Sequence, residues 1–399
     1  MFRPLFFALT TLVGIRITED SNLFAISFII LDAIIFLYLL NYVITSKLRK
    51  YTLFGFFIAI FFIGLILLSY FRLGFKGSAL SYYLKYYLSL SLPYFFLGIM
   101  NNYSLPGFQI RLLKYASIMS IFVVLSFSLF TVSYSGQIQR LTNINSLNYQ
   151  NIGYYLTYSA IIIFLYSFYA KKAVRLLYLL LFIIAALLVV FTGARGPLVT
   201  LFIGTLTTVF FYSKKAFFFL LISFTLIMFT LTPFMEFLFE TFTSFSSGIT
   251  RSLSFLYLNE NTLYSLPDTL GTREPLYRNA ITLFGEYPFF GVGTGGFSLL
   301  TRSNTYPHNV FLEILSEYGV LGILTVFFVT IYFLRKIQKR FQNEYVIIIL
   351  MYVYSITQLL FSSSFLVTFE LWFAIGSTFS FIDRVDVKRP RVKKTISKY

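Results

Sequence analysis

Between Leu176 and Val190 the chain reads LLYLLLFIIAALLVV, and stretches of this kind recur along most of its 399 residues. Crossing the hydrocarbon core of a bilayer as a helix takes about 20 mainly apolar residues. Spans are expected near 2–18, 22–45, 51–70, 80–100, 112–133, 150–170, 173–192, 196–213, 215–235, 309–334, 344–361 and 363–382. The fourth is the least regular, because it holds Lys85 and Pro93. The first apolar run, Phe2 to Val13, has no small-residue cleavage pattern after it, so it reads as a retained span rather than a signal peptide. Soluble domains carry roughly 25% charged residues, whereas this chain has 12%, with 58% hydrophobic residues. So little polar surface cannot cover a water-soluble core, and a bilayer is the solvent that accepts the excess. The expected fold class is all-α, a polytopic membrane protein of about 12 transmembrane helices.

Charge placement gives the threading. Lys and Arg cluster at Lys47/Arg49/Lys50, Arg111/Lys114, Lys171/Lys172/Arg175, Lys214/Lys215, Arg335/Lys336/Lys339/Arg340 and in the tail from Arg384 to Lys398. These clusters fall on alternate loops, as a consistently threaded chain requires when basic loops stay in the cytoplasm. Both termini are then cytoplasmic. The formal net charge of +17 is accounted for mostly by this topology signal and by attraction to anionic lipid, so nucleic acid is not an expected partner. With no cysteine and one histidine, disulfides, thiolate catalysis, Cys-based zinc sites and His-rich metal sites are excluded. Asp383 and Asp386 lie beside basic residues of the tail and do not read as a metal site.

One long stretch, residues 236–308, lacks a spanning pattern and reads as a large extracytoplasmic loop between the ninth and tenth spans. Its Pro267, Pro275, Pro288 and aromatic residues indicate a structured loop with short helices. Leu276, Ala280, Leu283 and Phe284 are spaced as one face of an amphipathic helix from Glu274 to Glu286. Loops of this length are usually functional or disordered. Four parts follow: N-terminal transmembrane helices at 1–149, a core at 150–335 that includes the loop, C-terminal transmembrane helices at 336–382, and a basic cytoplasmic tail at 383–399.

Several residues in this frame invite chemistry. Arg195, in Thr192-Gly193-Ala194-Arg195-Gly196-Pro197, is the one charge in a hairpin between two apolar runs, and an arginine there is either snorkelling, paired or functional. His308, in Tyr306-Pro307-His308-Asn309, opens the span after the loop, with Pro307 expected in the first helical turn. The partial positive charge of a helix N-terminus disfavours imidazolium, which leaves His308 in the form that accepts a proton; a capping or interfacial histidine is the competing reading. Glu313 and Glu317 share a helix face and are expected to pair with loop arginines. Arg273 and Arg278 flank Glu274, and their guanidinium forks match phosphate oxygens; ordinary salt bridges are the competing reading. Gly291-Val292-Gly293-Thr294-Gly295-Gly296 is a poor dinucleotide fingerprint, since no strand–helix unit frames it, and a tight turn is expected instead. Asp32 and Glu370 are acids at membrane depth whose roles the residues leave open.

Three blocks, in this order, resemble the superfamily of O-antigen ligases and polymerases, bacterial membrane glycosyltransferases with a GT-C-like fold. The first is Thr-Gly-Ala-Arg-Gly at 192–196. The second is Gly271-Thr272-Arg273, then a helix, then Glu286-Tyr287-Pro288-Phe289-Phe290-Gly291-Val292-Gly293-Thr294-Gly295-Gly296-Phe297. The third, and most specific, runs from Pro307-His308-Asn309 through Glu313 and Glu317 to Gly322. The likeness is close over roughly residues 150–335. It implies an undecaprenyl-diphosphate-linked glycan donor, a glycan or lipid acceptor, no metal and no nucleotide sugar. Arg195 and Arg273 would bind the diphosphate, and His308 would be the general base in an inverting transfer. Arg278, Arg302, Arg251 and Arg140 are second-line candidates for donor or glycan contacts.

The expected function is polymerisation of lipid-linked repeat units into a surface polysaccharide (O-antigen, capsule or exopolysaccharide), at the extracytoplasmic face of the bacterial inner membrane. A chain-length regulator and a flippase are the expected protein partners, beside membrane lipids. The close alternative is a ligase that moves a finished glycan onto lipid A core or another acceptor. A lipid-linked glycan flippase or transporter is a more distant one, since no half-to-half repeat accompanies the intramembrane acids.

Overall fold

A computed structural model describes residues 50–72, 78–100, 149–231, 270–338 except 304, and 344–387, with a few more between 114 and 125. The expected spans at 2–18 and 22–45, Asp32, Arg140, Arg251, most of 112–133, most of the loop before Leu270 and the end of the basic tail lie outside the described residues.

All regular structure among the described residues is helical. In chain order the helices are α1 Lys50–Arg72, α2 Ser78–Tyr86, α3 Leu92–Met100, α4 Tyr149–Ser167, α5 Lys172–Thr192, α6 Arg195–Tyr212, α7 Lys214–Leu231, α8 Leu270–Glu286, α9 Gly296–Thr301, α10 Val310–Gln338, α11 Glu344–Phe361 and α12 Phe369–Val387. Among the described residues, four stretches are long and apolar enough to cross a membrane: Leu53–Arg72, Lys172–Thr192, Arg195–Tyr212 and Val310–Phe333. Their outward faces are as apolar as their buried ones. On α5, Leu176, Leu180, Ile183 and Leu187 are exposed, while Leu181, Ala185 and Leu188 are buried. That pattern belongs to a helix with lipid on one side and protein on the other. The protein is an integral membrane protein.

The stretch 80–100, expected as the fourth span, is helical throughout. Its α2 and α3 are joined by a π-helical turn, Tyr87–Ser91, in which the Leu92 N–H reaches back to the Tyr87 carbonyl. Pro93 cannot donate a backbone hydrogen bond, and widening the turn before it lets the helix continue. The last expected span begins later than 363, because residues 362–368 form turns before α12 starts at Phe369. Glu370 falls in the first turn of α12, where a carboxylate complements the helix dipole.

The described residues form two compact units. The first contains α4 to α7, α8 as far as Arg278, and α11 from Ile349. Here α4 is the central helix, with Tyr154, Leu156, Ala160, Ile161, Ile162 and Ile163 buried. Its Phe168 neighbour stacks on Tyr212 at 4.4 Å, and the Tyr354 hydroxyl of α11 donates to the Tyr154 carbonyl at 3.1 Å.

The second unit contains α1 to α3, the rest of α8, α9, α10, the start of α11, and α12. Trp372 is its hub, with ring centroids of Tyr87 and Phe62 at 5.0 and 5.1 Å. Gly98 of α3 faces the α12 backbone at Phe373, and Gly376 of α12 faces the α3 backbone at Phe95. Small residues at a helix crossing let backbones approach where dispersion, not hydrophobicity, drives association.

Candidate functional site

Arg195 is placed by a two-residue connection. Helix α5 ends at Thr192, and Gly193 follows in the left-handed region (φ 68°), its N–H on the Val190 carbonyl. Glycine takes that conformation without the Cβ penalty. The Thr192 hydroxyl donates to the Val189 carbonyl and accepts the Ala194 N–H. Arg195 is then the first residue of α6, half-buried. Helix α4 clamps this corner. The Thr157 hydroxyl donates to the Pro197 carbonyl at 3.1 Å, and Tyr154 sits where a Cβ on Gly196 would be. The Thr-Gly-Ala-Arg-Gly-Pro sequence therefore holds a cation at a helix N-terminus, two features that both favour an anion.

Arg273 lies half-buried near the start of α8. That helix begins at Leu270, four residues before the expected Glu274 start, and buries Ala280 and Leu283 as the spacing predicts. Arg278 is exposed and bridges Glu274 at 2.7 Å. This is the ordinary i,i+4 pair that the sequence left as the competing reading. Arg302 is exposed, the C-cap of the short α9 at φ 53°.

His308 is in the second unit. Pro307 is not in the first turn of the following helix, as expected, but ahead of it. Helix α10 begins at Val310, and Asn309 is its cap, its Oδ1 accepting the N–H groups of Phe311 and Leu312 at 3.0 and 3.2 Å. His308 therefore stands just outside the helix, with a left-handed backbone (φ 55°). Such a conformation costs a non-glycine residue about 1–3 kcal/mol and clusters at functional sites. The half-buried ring lies 4.3 Å from Tyr306, and Nε2 is 3.2 Å from the Thr305 hydroxyl. If Nε2 carries the proton and donates to Thr305, the lone pair is on Nδ1. Thr305 is in turn tied back, its carbonyl accepting from Ser303, which accepts from Thr301.

The glycine run is a turn, as expected, and it is docked on a break in α10. Gly319 has non-helical angles (φ 63°, ψ −159°) inside that helix, a region open essentially to glycine alone. The break leaves carbonyls unpaired on one side and N–H groups on the other. The turn supplies both partners. Val292 and Gly293 N–H groups donate to the Ser316 and Glu317 carbonyls at 2.9 and 2.8 Å. The Val320 and Leu321 N–H groups donate to the Pro288 and Phe289 carbonyls at 2.8 and 3.3 Å. Irregular backbone in a spanning helix survives only when protein satisfies it in this way.

Glu313 and Glu317 do not pair with loop arginines among the described residues. Both are fully buried. Glu317 Oε1 accepts the Gly295 N–H at 2.9 Å, which fixes the turn from its far end. Glu313 accepts a hydrogen bond from the Ser364 hydroxyl.

With this geometry in place, comparison with protein families is informative. Residues 180–327 match the family model described as O-antigen ligase. This part of the chain is similar to O-antigen ligases. The match begins in α5, spans the Arg195 corner, α8 and the docked turn, and ends in α10 beyond His308. Comparison with curated proteins finds no match.

Arg195, Arg273 and Arg278 belong to the first unit of the structure, and His308 and Arg302 to the second. Sequence reasoning missed Asn309, although Asn before an apolar run is a cap signature. It also missed Thr305 and the break at Gly319, whose partners lie some 30 residues upstream and leave no local signal.

Proposed function

We propose that this protein is a membrane glycosyltransferase that joins lipid-linked glycan units at the extracytoplasmic face of the inner membrane. The observation that carries the reading is the placement of His308 within the O-antigen ligase match. It is held outside a spanning helix by an Asn cap, a strained backbone and a threonine hydroxyl.

In the proposed reaction the donor is a glycan on undecaprenyl diphosphate. The acceptor hydroxyl gives its proton to His308, and its oxygen attacks the anomeric carbon from the face opposite the diphosphate. The bond from that carbon to the diphosphate oxygen breaks, the electron pair leaves with the diphosphate, and the configuration inverts. Arg195 and Arg273 stabilise the negative charge that grows on the leaving group, the work a metal ion would otherwise do. General-base help of this kind contributes about 10² to 10⁴ in rate.

Two acceptors fit this chemistry. A growing repeat-unit chain makes the protein a polymerase, the preferred reading; a finished glycan moved onto another acceptor makes it a ligase, the alternative. The test is deletion in the host, restored with wild type or with His308→Ala, followed by sizing of the surface glycan. Collapse of a ladder to single repeats, unrepaired by His308→Ala, supports the polymerase. Long chains retained on the carrier lipid identify a ligase. Full rescue by His308→Ala would remove the proposed base.

A further inference from the structure

The segment Tyr287–Gly291, which falls in the expected extracytoplasmic loop, is held by two helices that are long and apolar enough to span. The first is α1. Arg72 ends this span, and its Nη1 donates to the Gly291 carbonyl at 3.1 Å while its guanidinium lies 5.9 Å from the centre of the Tyr287 ring. Arginine at the end of a span sits at the level of lipid headgroups. One turn further into the same span, Ser69 Oγ accepts the Thr294 N–H at 2.8 Å. The second is α10. The Pro288 and Phe289 carbonyls hold the N–H groups of Val320 and Leu321, inside the apolar stretch Val310–Phe333. From there Val320, Leu321, Leu324, Phe327 and Phe328 are all exposed.

At this depth the segment shows the two largest aromatic exposures of the second unit's loop residues, Phe289 at 69% and Phe290 at 70%. Their backbone has no freedom to withdraw, because the break in α10 depends on it. We infer that Phe289 and Phe290 form an interfacial wedge, inserted among the acyl chains of the leaflet in which α1 ends, with Arg72 and Tyr287 at headgroup level above it. The occupant of this surface is bilayer lipid. The Phe289 carbonyl meets the Leu321 N–H, so the exposed rings leave the chain beside exposed apolar residues of α10, and Arg72 gives the charge complement to a lipid phosphate. Aromatic rings at this boundary are a recurrent membrane anchor. The wedge holds the docked turn, and through α10 the segment that carries His308, at the membrane surface. The inference rests on the membrane-spanning helices and not on the proposed chemistry, so either can fail alone.

The absence of cysteine makes the test direct. Single variants Phe289→Cys and Phe290→Cys would carry a nitroxide label in the full chain, reconstituted in phosphatidylglycerol–phosphatidylethanolamine vesicles. Phe327→Cys on the lipid face of α10 and Glu274→Cys on the exposed surface of α8 supply the references. Collisions with dissolved oxygen and with a water-soluble nickel chelate are then measured. The expected result is frequent oxygen collision and shielding from nickel at 289 and 290, close to the value at 327. Nickel collision equal to that at 274 would put the turn in water and overturn the inference. Low collision with both reagents would mean that protein covers the two rings, and would overturn it equally. Since both side chains are mostly exposed, their replacement leaves the fold intact, which circular dichroism of each variant checks.

Discussion

His308 stands one residue ahead of the Asn309 cap, with a backbone that a side chain rarely adopts. The ring is half-buried against Tyr306 and tied to Thr305. What the position needs is the cap that follows. Asn309 satisfies two N–H groups that α10 would otherwise leave open. Asn309→Ala should cost about 1 kcal/mol, read as a lower Tm in detergent, and should release the turn that aims the imidazole. Asn309→Asp, which keeps the acceptor, should retain stability. Equal Tm values for wild type and the Ala variant would show that the cap contributes nothing. At this scale the sequence singled out the residue but not its geometry. A lone His beside Asn before an apolar run drew attention, whereas the hydroxyl tether at Thr305 and the left-handed backbone depend on how 301–308 folds back on itself. Arg278 is the opposite case: both readings were visible, and the salt bridge to Glu274 favours the plainer one.

Among elements, the pairing of the glycine turn with the broken α10 binds together two of the blocks that carry the family likeness. Sequence periodicity predicted one uninterrupted span at 309–334, because apolar spacing is the same on both sides of Gly319. A break costs several backbone hydrogen bonds, and only the distant segment 288–293 shows that they are replaced. Gly319→Ala should therefore be severe. A Cβ there would stand 2.5 Å from the Phe289 carbonyl oxygen, in a backbone region closed to alanine. The expected loss is at least about 2 kcal/mol, seen as a large fall in Tm or in accumulated protein. Gly64→Ala is the control: it is helical, nothing lies within 4 Å of the new atom, and a helical Gly→Ala change gains about 0.5–1 kcal/mol. If both variants unfold alike, the break is not held by the turn. Glu317 offers a milder probe of the same latch. Removing its acceptor leaves the Gly295 N–H buried without a partner, so Glu317→Ala should destabilise by about 1–3 kcal/mol and Glu317→Gln by less.

For the whole molecule, the apolar runs were the most legible feature, because twenty residues of Leu, Ile and Phe leave the chain one solvent. Helices α5, α6 and α11 begin and end within a residue or two of the expected spans. The division into two units, each from separated segments, was not legible, since it arises from packing between helices far apart in sequence. Threading is the prediction at this scale. With basic loops in the cytoplasm, a membrane-impermeant thiol reagent applied to intact cells should label Gly285→Cys, where the added side chain meets open space, and spare Ser213→Cys until the membrane is opened. The reverse pattern would invert the orientation and move the proposed site to the cytoplasm. The most direct measurement concerns the transfer itself. The purified protein in lipid nanodiscs would receive lipid-linked oligosaccharide extracted from a host lacking the gene, and release of undecaprenyl diphosphate would be followed for wild type and His308→Ala. The account predicts release coupled to glycan transfer, and a rate about 10² to 10⁴ lower in the variant; equal rates in the two proteins, or no release from either, would contradict it.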